Sequence, residues 1–362
     1  MTRLRERITE LIAATGPISV SDYMALCLFD PEHGYYTIRE PFGAAGDFVT
    51  APEISQMFGE LIGIWVRAAW DGVGRPMPLT FAEIGPGRGT LMKDMLRTLG
   101  KLDPALVSQA HFALIENSPR LTQIQKQTLA RSAARISWHK SLDTLPEAPL
   151  IIHGNELFDA IPMRQYVRSA GRWRERSIGL DSEGNLAFMA GAGAPDPSLL
   201  PPDAADAPDG AIVELAPARV AMMDAIAGRI AAHGGAGLFI DYGHLAPGVG
   251  DTLQAVRRHR HEPVLDSPGE ADLTSHVDFA ALAAEARRNG LEAHLMTQGD
   301  FLLGMGLLER AGRLGAQADE AVRERLRGEV ERLAGPQAMG ELFKVLAISR
   351  PGTVLPPFSS AS

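Results

Sequence analysis

The segment Leu79-Thr80-Phe81-Ala82-Glu83-Ile84-Gly85-Pro86-Gly87-Arg88-Gly89-Thr90-Leu91 places an apolar run directly ahead of three alternating glycines. A loop of this kind turns sharply, lets a ligand approach its backbone without Cβ obstruction, and opens a helix whose first N–H groups face outward. In α/β sheets it follows the first strand and holds a nucleotide-type cofactor; the alternative is a plain tight turn. Spacing separates the cofactors. A dinucleotide loop reads G-x-G-x-x-G, whereas the third glycine here comes one position early and Thr90 follows it. No phosphate-binding lysine succeeds the glycines, so the P-loop pattern is absent as well.

Glycine alternation preceded by Glu83 resembles the first motif of S-adenosylmethionine-dependent methyltransferases of the Rossmann-like class. The next apolar run strengthens this. His111-Phe112-Ala113-Leu114-Ile115-Glu116-Asn117 ends in a carboxylate, where an α/β cofactor fold places the acceptor for ribose hydroxyls. Glu116 lies 27 residues after Gly89 (116 − 89), across a helical segment from Leu91 to Leu106. A solvated acid at a strand end is the alternative reading.

Composition sets the outer limits. With 362 residues, 45% hydrophobic and 22% charged, the chain can bury a sizeable core in one large domain or about two. Its net charge of −9 gives no global attraction for nucleic acid or anionic membranes. The single cysteine, Cys27, rules out an internal disulfide framework and reads as a buried structural thiol. The N-terminus mixes acids and bases, and no apolar run reaches the ~20 residues of a membrane span. No stable membrane insertion and a cytoplasmic location are therefore expected.

Organisation along the chain follows from periodicity. Residues 1–75 read as an N-terminal helical extension, with Leu4, Ile8, Leu11 and Ile12 on one stripe. A second helix runs from Ile54 to Trp70, with Met57, Leu61, Ile64 and Trp65 on one apolar side. The Gly43–Glu53 segment reads as a loop able to close over a cofactor. Strands are predicted at 79–84, 110–115, 149–154 and 236–241, separated by helices, as in a buried parallel sheet. Residues 163–215 break the alternation and read as inserted antiparallel hairpins with a turn at 182–185, followed by a mobile Ala/Pro/Asp-rich loop. Helices are predicted from a Ser275 cap to about Arg288, from Asp300 to Arg313 and from Ala318 to Leu333, then a last strand at 340–348. Residues 76–350 thus form the main domain, and 351–362 a tail.

Gly154-Asn155-Glu156-Leu157-Phe158-Asp159-Ala160-Ile161-Pro162 follows the third of these strands with one amide and two carboxylates. Ligands of open α/β sheets bind beyond the carboxyl ends of strands, so this corner should face the glycine loop. The alternative is a helix N-terminus decorated with acids. Together with Gly46-Asp47-Phe48-Val49-Thr50-Ala51-Pro52-Glu53, Ile240-Asp241-Tyr242-Gly243 and Asp272-Leu273-Thr274-Ser275-His276-Val277-Asp278-Phe279, the glycine loop and this corner resemble the MidA family of methyltransferases. That family includes the mitochondrial arginine methyltransferase needed to assemble respiratory complex I.

The resemblance implies an α/β, Rossmann-like class I methyltransferase with a mostly parallel seven-stranded sheet. It also implies S-adenosylmethionine as donor and symmetric dimethylation of an arginine on a subunit of NADH:ubiquinone oxidoreductase. Gly85, Gly87 and Gly89, with Glu83 and Pro86, would lie at the methionine part of the donor. Glu116 and Asn117 would lie at the ribose, and Ser141 and Leu142 at the adenine. Asn155 would lie beside the methyl, with Asp47 and Phe48 in a lid. A guanidinium is a poor nucleophile until carboxylates hold its fork, and Glu156 and Asp159 are the candidate catalytic clamp, with Glu214 in reserve. His276 reads as a possible base or as a polar residue in the first turn of its helix. The basic run Arg257-Arg258-His259-Arg260-His261 has no interleaved aromatic and reads as a solvated loop or a contact to an acidic protein, not as a nucleic-acid site. The histidines have no metal-ligand spacing, so no metal is expected. Two other functions fit the same pattern: a methyltransferase acting on a small molecule or another side chain, and a non-catalytic assembly partner that binds the donor.

Overall fold

Seven strands pair in one continuous path of the sheet that the glycine loop leaves: β1 (Thr80–Ile84), β2 (His111–Ile115), β3 (Arg135–His139), β4 (Leu150–Asn155), β5 (Gly235–His244), β6 (Glu292–Thr297) and β7 (Phe343–Ser349). Their order is β6-β7-β5-β4-β1-β2-β3. β3, β2, β1, β4 and β5 pair in parallel, while β7 runs antiparallel to both β5 and β6. Every residue of β1 is buried, as a parallel strand covered on both faces requires, and this is why it reads as a continuous apolar run. Strand order reverses between β1 and β4, and open α/β sheets bind their ligands beyond the carboxyl ends of the strands at such a point.

The computed structural model describes residues 2–38 and 50–358. The chain divides into two units, one of Val49–Leu157, Met222–Leu245 and Phe279–Ser362, the other of Met1–Phe48, Phe158–Ala221 and Ala246–Asp278. The first holds the seven strands β1–β7. In it the helix Gln56–Gly72 packs on the helix Thr90–Leu102 through its glycines: a Cβ on Gly59 would stand 2.7 Å from Asp94 Cβ, and one on Gly63 3.2 Å from the Met95 carbonyl. The second unit holds the helices Arg3–Thr15 and Val20–Phe29 and two antiparallel sheets. Its core includes Leu4, Ile8, Tyr23, Cys27, Ile178 and Leu273. Cys27 is fully buried, and burial pushes its thiol up to about 12, so it is an inert packing group.

These boundaries differ from the expected ones. The helix Gln56–Gly72 belongs with the sheet and not with an N-terminal extension, because Phe58, Leu61 and Trp65 fill the sheet's core. The insertion is larger than 163–215 and gains the three strands Gln254–Arg257, Arg260–Glu262 and Asp272–Thr274. The stretch read as a mobile loop is pinned at Ala204, whose carbonyl accepts from Arg168 and Trp173. The tail is packed as far as it is described, with Leu355 and Phe358 in the core of the sheet unit. Ser275 caps no helix; the helix begins at Phe279. The Asp300–Arg313 helix is two, Gln298–Gly304 and Leu307–Gly315, separated at Gly306 with φ 92°. Leu11 and Ile64, placed on apolar stripes by periodicity, are 39% and 36% exposed.

The Gly59 contact gives a stability prediction. Alanine usually stabilises a helix interior by about 1 kcal/mol over glycine. Here Gly59→Ala drives a methyl into the Asp94 stem and should lower the melting temperature. A higher melting temperature would show that the two helices do not meet at this glycine.

Candidate active site

β1 delivers the chain into the glycine loop with φ of 65° at Gly85 and 80° at Gly89, values that a side chain rarely tolerates. The Gly85 N–H donates to the Ile115 carbonyl at 3.1 Å, which ties the loop to the end of β2. The Gly89 N–H closes the turn on the Pro86 carbonyl at 2.7 Å. A Cβ on Gly85 would stand 3.3 Å from Leu157, and one on Gly89 3.5 Å from Gln125. Thr90 opens the helix and donates its hydroxyl to Glu53 Oε1 at 2.7 Å.

Glu116 leaves the end of β2. Its Oε1 accepts from the Ser118 N–H at 2.7 Å and its Oε2 from Gln125 Nε2 at 3.1 Å. Burial pushes its carboxyl above the ordinary value, opposed by hydrogen bonds from Ser118 and Gln125. Gln125 is itself fully buried. Its Nε2 also donates to the Gly87 carbonyl at 2.8 Å, and its Oε1 accepts from Trp138 Nε1 at 3.1 Å. One amide therefore joins the glycine loop, the acid after β2 and the indole of β3. Asn117 is exposed, whereas Ser141 and Leu142, just past β3, are half-buried.

β4 ends at the acidic corner. The Glu156 N–H donates to the Ile240 carbonyl at 2.8 Å, and Glu156 takes the left-handed conformation with φ 52°. A non-glycine residue in that region is held there by its surroundings, which is common at functional sites. Asn155 Nδ2 donates to Glu156 Oε1 at 2.9 Å, orienting the carboxylate, while Asn155 Oδ1 is buried with no hydrogen-bond partner among the described residues. The chain then makes a tight turn at Phe158–Ile161 instead of entering a helix, which removes the helix-N-terminus reading of these acids.

Glu83 lies inside β1 and His153 opposite it in β4, 3% and 2% exposed. Their nearest atoms, Oε2 and Nε2, are 3.9 Å apart, too far for a hydrogen bond. Burial raises the carboxyl to about 8 and lowers the imidazole to about 4, so near pH 7 the pair is neutral and not an ion pair. Glu83 is thus a buried group beneath the loop, not a residue on its surface.

Asp159 belongs to the other unit. There its side chain is buried and its carbonyl accepts from Arg219 Nη2 at 3.0 Å and from the Ser275 N–H at 3.2 Å. The same Arg219 donates to the carbonyls of Ile161 and His276 and to Ser275 Oγ. His276 lies outside any helix, and its N–H donates to Thr252 Oγ1. Glu214 is occupied as a structural acceptor, receiving the Gln165 amide at 2.7 Å and both the N–H and the hydroxyl of Thr252. Asp47 and Phe48 lie outside the described residues.

Within the sheet unit the geometry suits an adenosyl donor. The loop is exposed at Gly85, a carboxylate stands after β2, and a buried amide oxygen lies at the exit of β4. Residues 61–297 match a family model described as "Putative S-adenosyl-L-methionine-dependent methyltransferase". The chain belongs to that methyltransferase family. It is 34% identical to the zebrafish "Protein arginine methyltransferase NDUFAF7, mitochondrial" over 95% of this chain and 86% of that one. With the human protein of the same name it is 33% identical over 96% and 83%. Among solved structures, a Burkholderia thailandensis protein bound to S-adenosylhomocysteine matches with TM-score 0.81 and 31% identity, covering 97% of this chain and 92% of that one. The MidA resemblance, the fold and S-adenosylmethionine as the methyltransferase's donor stand on these matches. One expectation is corrected: the curated relatives are named as mitochondrial, against the cytoplasmic location read from the N-terminus. No helix among the described residues is long and apolar enough to cross a membrane.

Two outcomes are expected of the methyltransferase. Gln125→Leu strands the Gly87 carbonyl, Glu116 and the Trp138 N–H, each costing about 1–3 kcal/mol when buried unpaired. Calorimetry should show S-adenosylhomocysteine affinity weakened by at least about tenfold; unchanged affinity would remove Gln125 from the site.

The buried pair sets a pH dependence. Glu83, raised from 4.5 to about 8, contributes stability that is present below pH 4.5 and lost as pH rises through 8. His153, lowered from 6.5 to about 4, contributes stability that is present above 6.5 and lost as pH falls through 4. Between 4.5 and 6.5 the two slopes cancel, and above 6.5 only Glu83 acts. Glu83→Gln should therefore gain melting temperature relative to the parent between pH 6.5 and 8; a difference constant with pH would contradict a protonated Glu83.

Proposed function

We propose that this methyltransferase transfers methyl groups to a protein arginine, producing symmetric dimethylation on a subunit of NADH:ubiquinone oxidoreductase during its assembly. The observation that carries the reading is near-full-length similarity to relatives named as protein arginine methyltransferases, at 34% and 33% identity. The carboxylate at the exit of β4 supplies its chemistry.

When bound, S-adenosylmethionine supplies an electrophilic methyl on a sulfonium. In this reading Gly85, Pro86, Gly87 and Gly89 pass beneath its methionine part. Glu116 accepts from its ribose hydroxyls, and Ser141 and Leu142 flank the adenine. Glu83 supports the loop from below without touching the ligand. Asn155 and Glu156 stand beside the acceptor.

An arginine, with pKa above ~12, offers no lone pair until its charge is drawn to one side. The Glu156 carboxylate, oriented by Asn155, accepts from two guanidinium N–H groups, one of them on the nitrogen that attacks. The N–C bond would form as the methyl–sulfur bond breaks and S-adenosylhomocysteine leaves, and the proton lost by the methylated nitrogen would pass to the Glu156 oxygen that holds it. Holding the acceptor nitrogen within ~3–3.5 Å of the carbon contributes much of the acceleration. The clamp rests on Glu156; Asp159 is withdrawn from it because its side chain is buried.

Glu156→Gln keeps the size and removes the charge. It should lower methyl transfer about 100-fold with donor affinity unchanged by calorimetry. Normal turnover in that variant would eliminate the clamp. The acceptor is tested with labelled donor and lysate from a strain lacking the protein: the label should appear on arginine in a respiratory-complex subunit, and label confined to small molecules would overturn the protein reading.

A further inference from the structure

Three buried polar atoms beneath the donor site have no hydrogen-bond partner among the described residues: Glu83 Oε2, His153 Nε2 and Asn155 Oδ1. Buried polar groups in folded proteins are nearly always paired, with protein or with an ordered water. The three belong together. Glu83 lies opposite His153 across β1 and β4, and Asn155 is two residues further along β4, so all three side chains leave one face of the sheet. The 3.9 Å between Glu83 Oε2 and His153 Nε2 is too long for a direct bond and is a gap that one water bridges.

The space is small. Beside His153 and Asn155 lies a cavity walled by Phe58, Ile62, Leu91, Leu238 and Ile240. The volume in it open to the centre of a water-sized sphere is about 10 Å³, about the room that one water needs. Those five walls are apolar, so the imidazole and the amide are the side chains there that can hold an occupant. The amide cannot turn round to satisfy itself. Asn155 Nδ2 donates to Glu156 Oε1 at 2.9 Å, and a flipped amide would set its oxygen against a carboxylate that only accepts. Asn155 Oδ1 therefore stays buried and needs a donor.

We propose that one water molecule binds between Glu83 Oε2, His153 Nε2 and Asn155 Oδ1 and fixes the amide that orients Glu156. The hydrogens balance. Glu83, protonated, donates its O–H to the water, which donates one hydrogen to His153 Nε2 and the other to Asn155 Oδ1. All three atoms then have a partner. Glu83 and His153 act through this water as positioning residues and touch neither the donor nor the acceptor. The positioning role rests on the reading that Glu156 is the clamp; the binding of the water does not.

The test compares the parent with His153→Leu and His153→Gln, each as the full chain crystallised with S-adenosylhomocysteine at a resolution that shows ordered waters. In the parent one water should lie within ~3.2 Å of all three atoms. His153→Leu should lose the water, and its rate of methyl transfer at saturating donor should fall about tenfold, while calorimetry shows unchanged affinity for S-adenosylhomocysteine. His153→Gln, which can still accept from the water, should keep both the water and most of the rate. Should His153→Leu fail to fold, the density in the parent and in His153→Gln still decides. No density bonded to the three atoms, a ligand atom in its place at Asn155 Oδ1, equal rates in the two variants, or a rate loss matched by a loss of donor affinity would overturn the proposal. The density is read without an acceptor. Failure to label arginine therefore leaves the water standing, and missing density with arginine still labelled removes this proposal alone.

Discussion

The active-site half of this methyltransferase depends on one pairing register. β1 lies between β2 and β4 with Ile84 opposite both Ile115 and Gly154. All three strands run parallel, so the glycine loop, Glu116 and the Asn155-Glu156 corner leave the sheet at the same edge. A slip of one residue would turn every side chain of β1 to the opposite face. Gly154 belongs to the same constraint, since a Cβ there would stand 3.0 Å from Leu157.

Given that edge, one buried amide sets the geometry. A loop with three left-handed glycines, Gly85, Gly87 and Gly89, has many accessible shapes when unsupported, and ordering it carries an entropic cost. Gln125 limits those shapes by holding the Gly87 carbonyl, and with the same nitrogen it aims Glu116. Trp138 fixes the other end of the amide. The low-dielectric surroundings that strengthen these bonds also hold Glu83 and His153 neutral below the loop. The floor of the site is therefore built from uncharged groups.

What the sequence made legible were features with a local signature. The glycine alternation, the apolar run ending in Glu116 and the polar exit after Ile152 each need only a few neighbouring residues to be read, and each lies where a parallel sheet puts it. Gln125 carried no such mark, because a glutamine in a polar helix reads as solvent-facing until the strand it covers is known. The Thr90–Glu53 contact was hidden for the same reason. The boundaries failed on connectivity: the second unit is assembled from three separate stretches, and periodicity reports elements without saying which of them share a core. Ser275 has the composition of a helix cap, yet Arg219 claims its hydroxyl and the helix starts later.

The most direct test of this account is a crystal structure of the full chain with S-adenosylhomocysteine. It should place both ribose hydroxyls on Glu116, the homocysteine part along Gly85 to Gly89, and the sulfur facing the Asn155-Glu156 corner. A ligand whose ribose is held elsewhere, or whose sulfur points away from that corner, would contradict it.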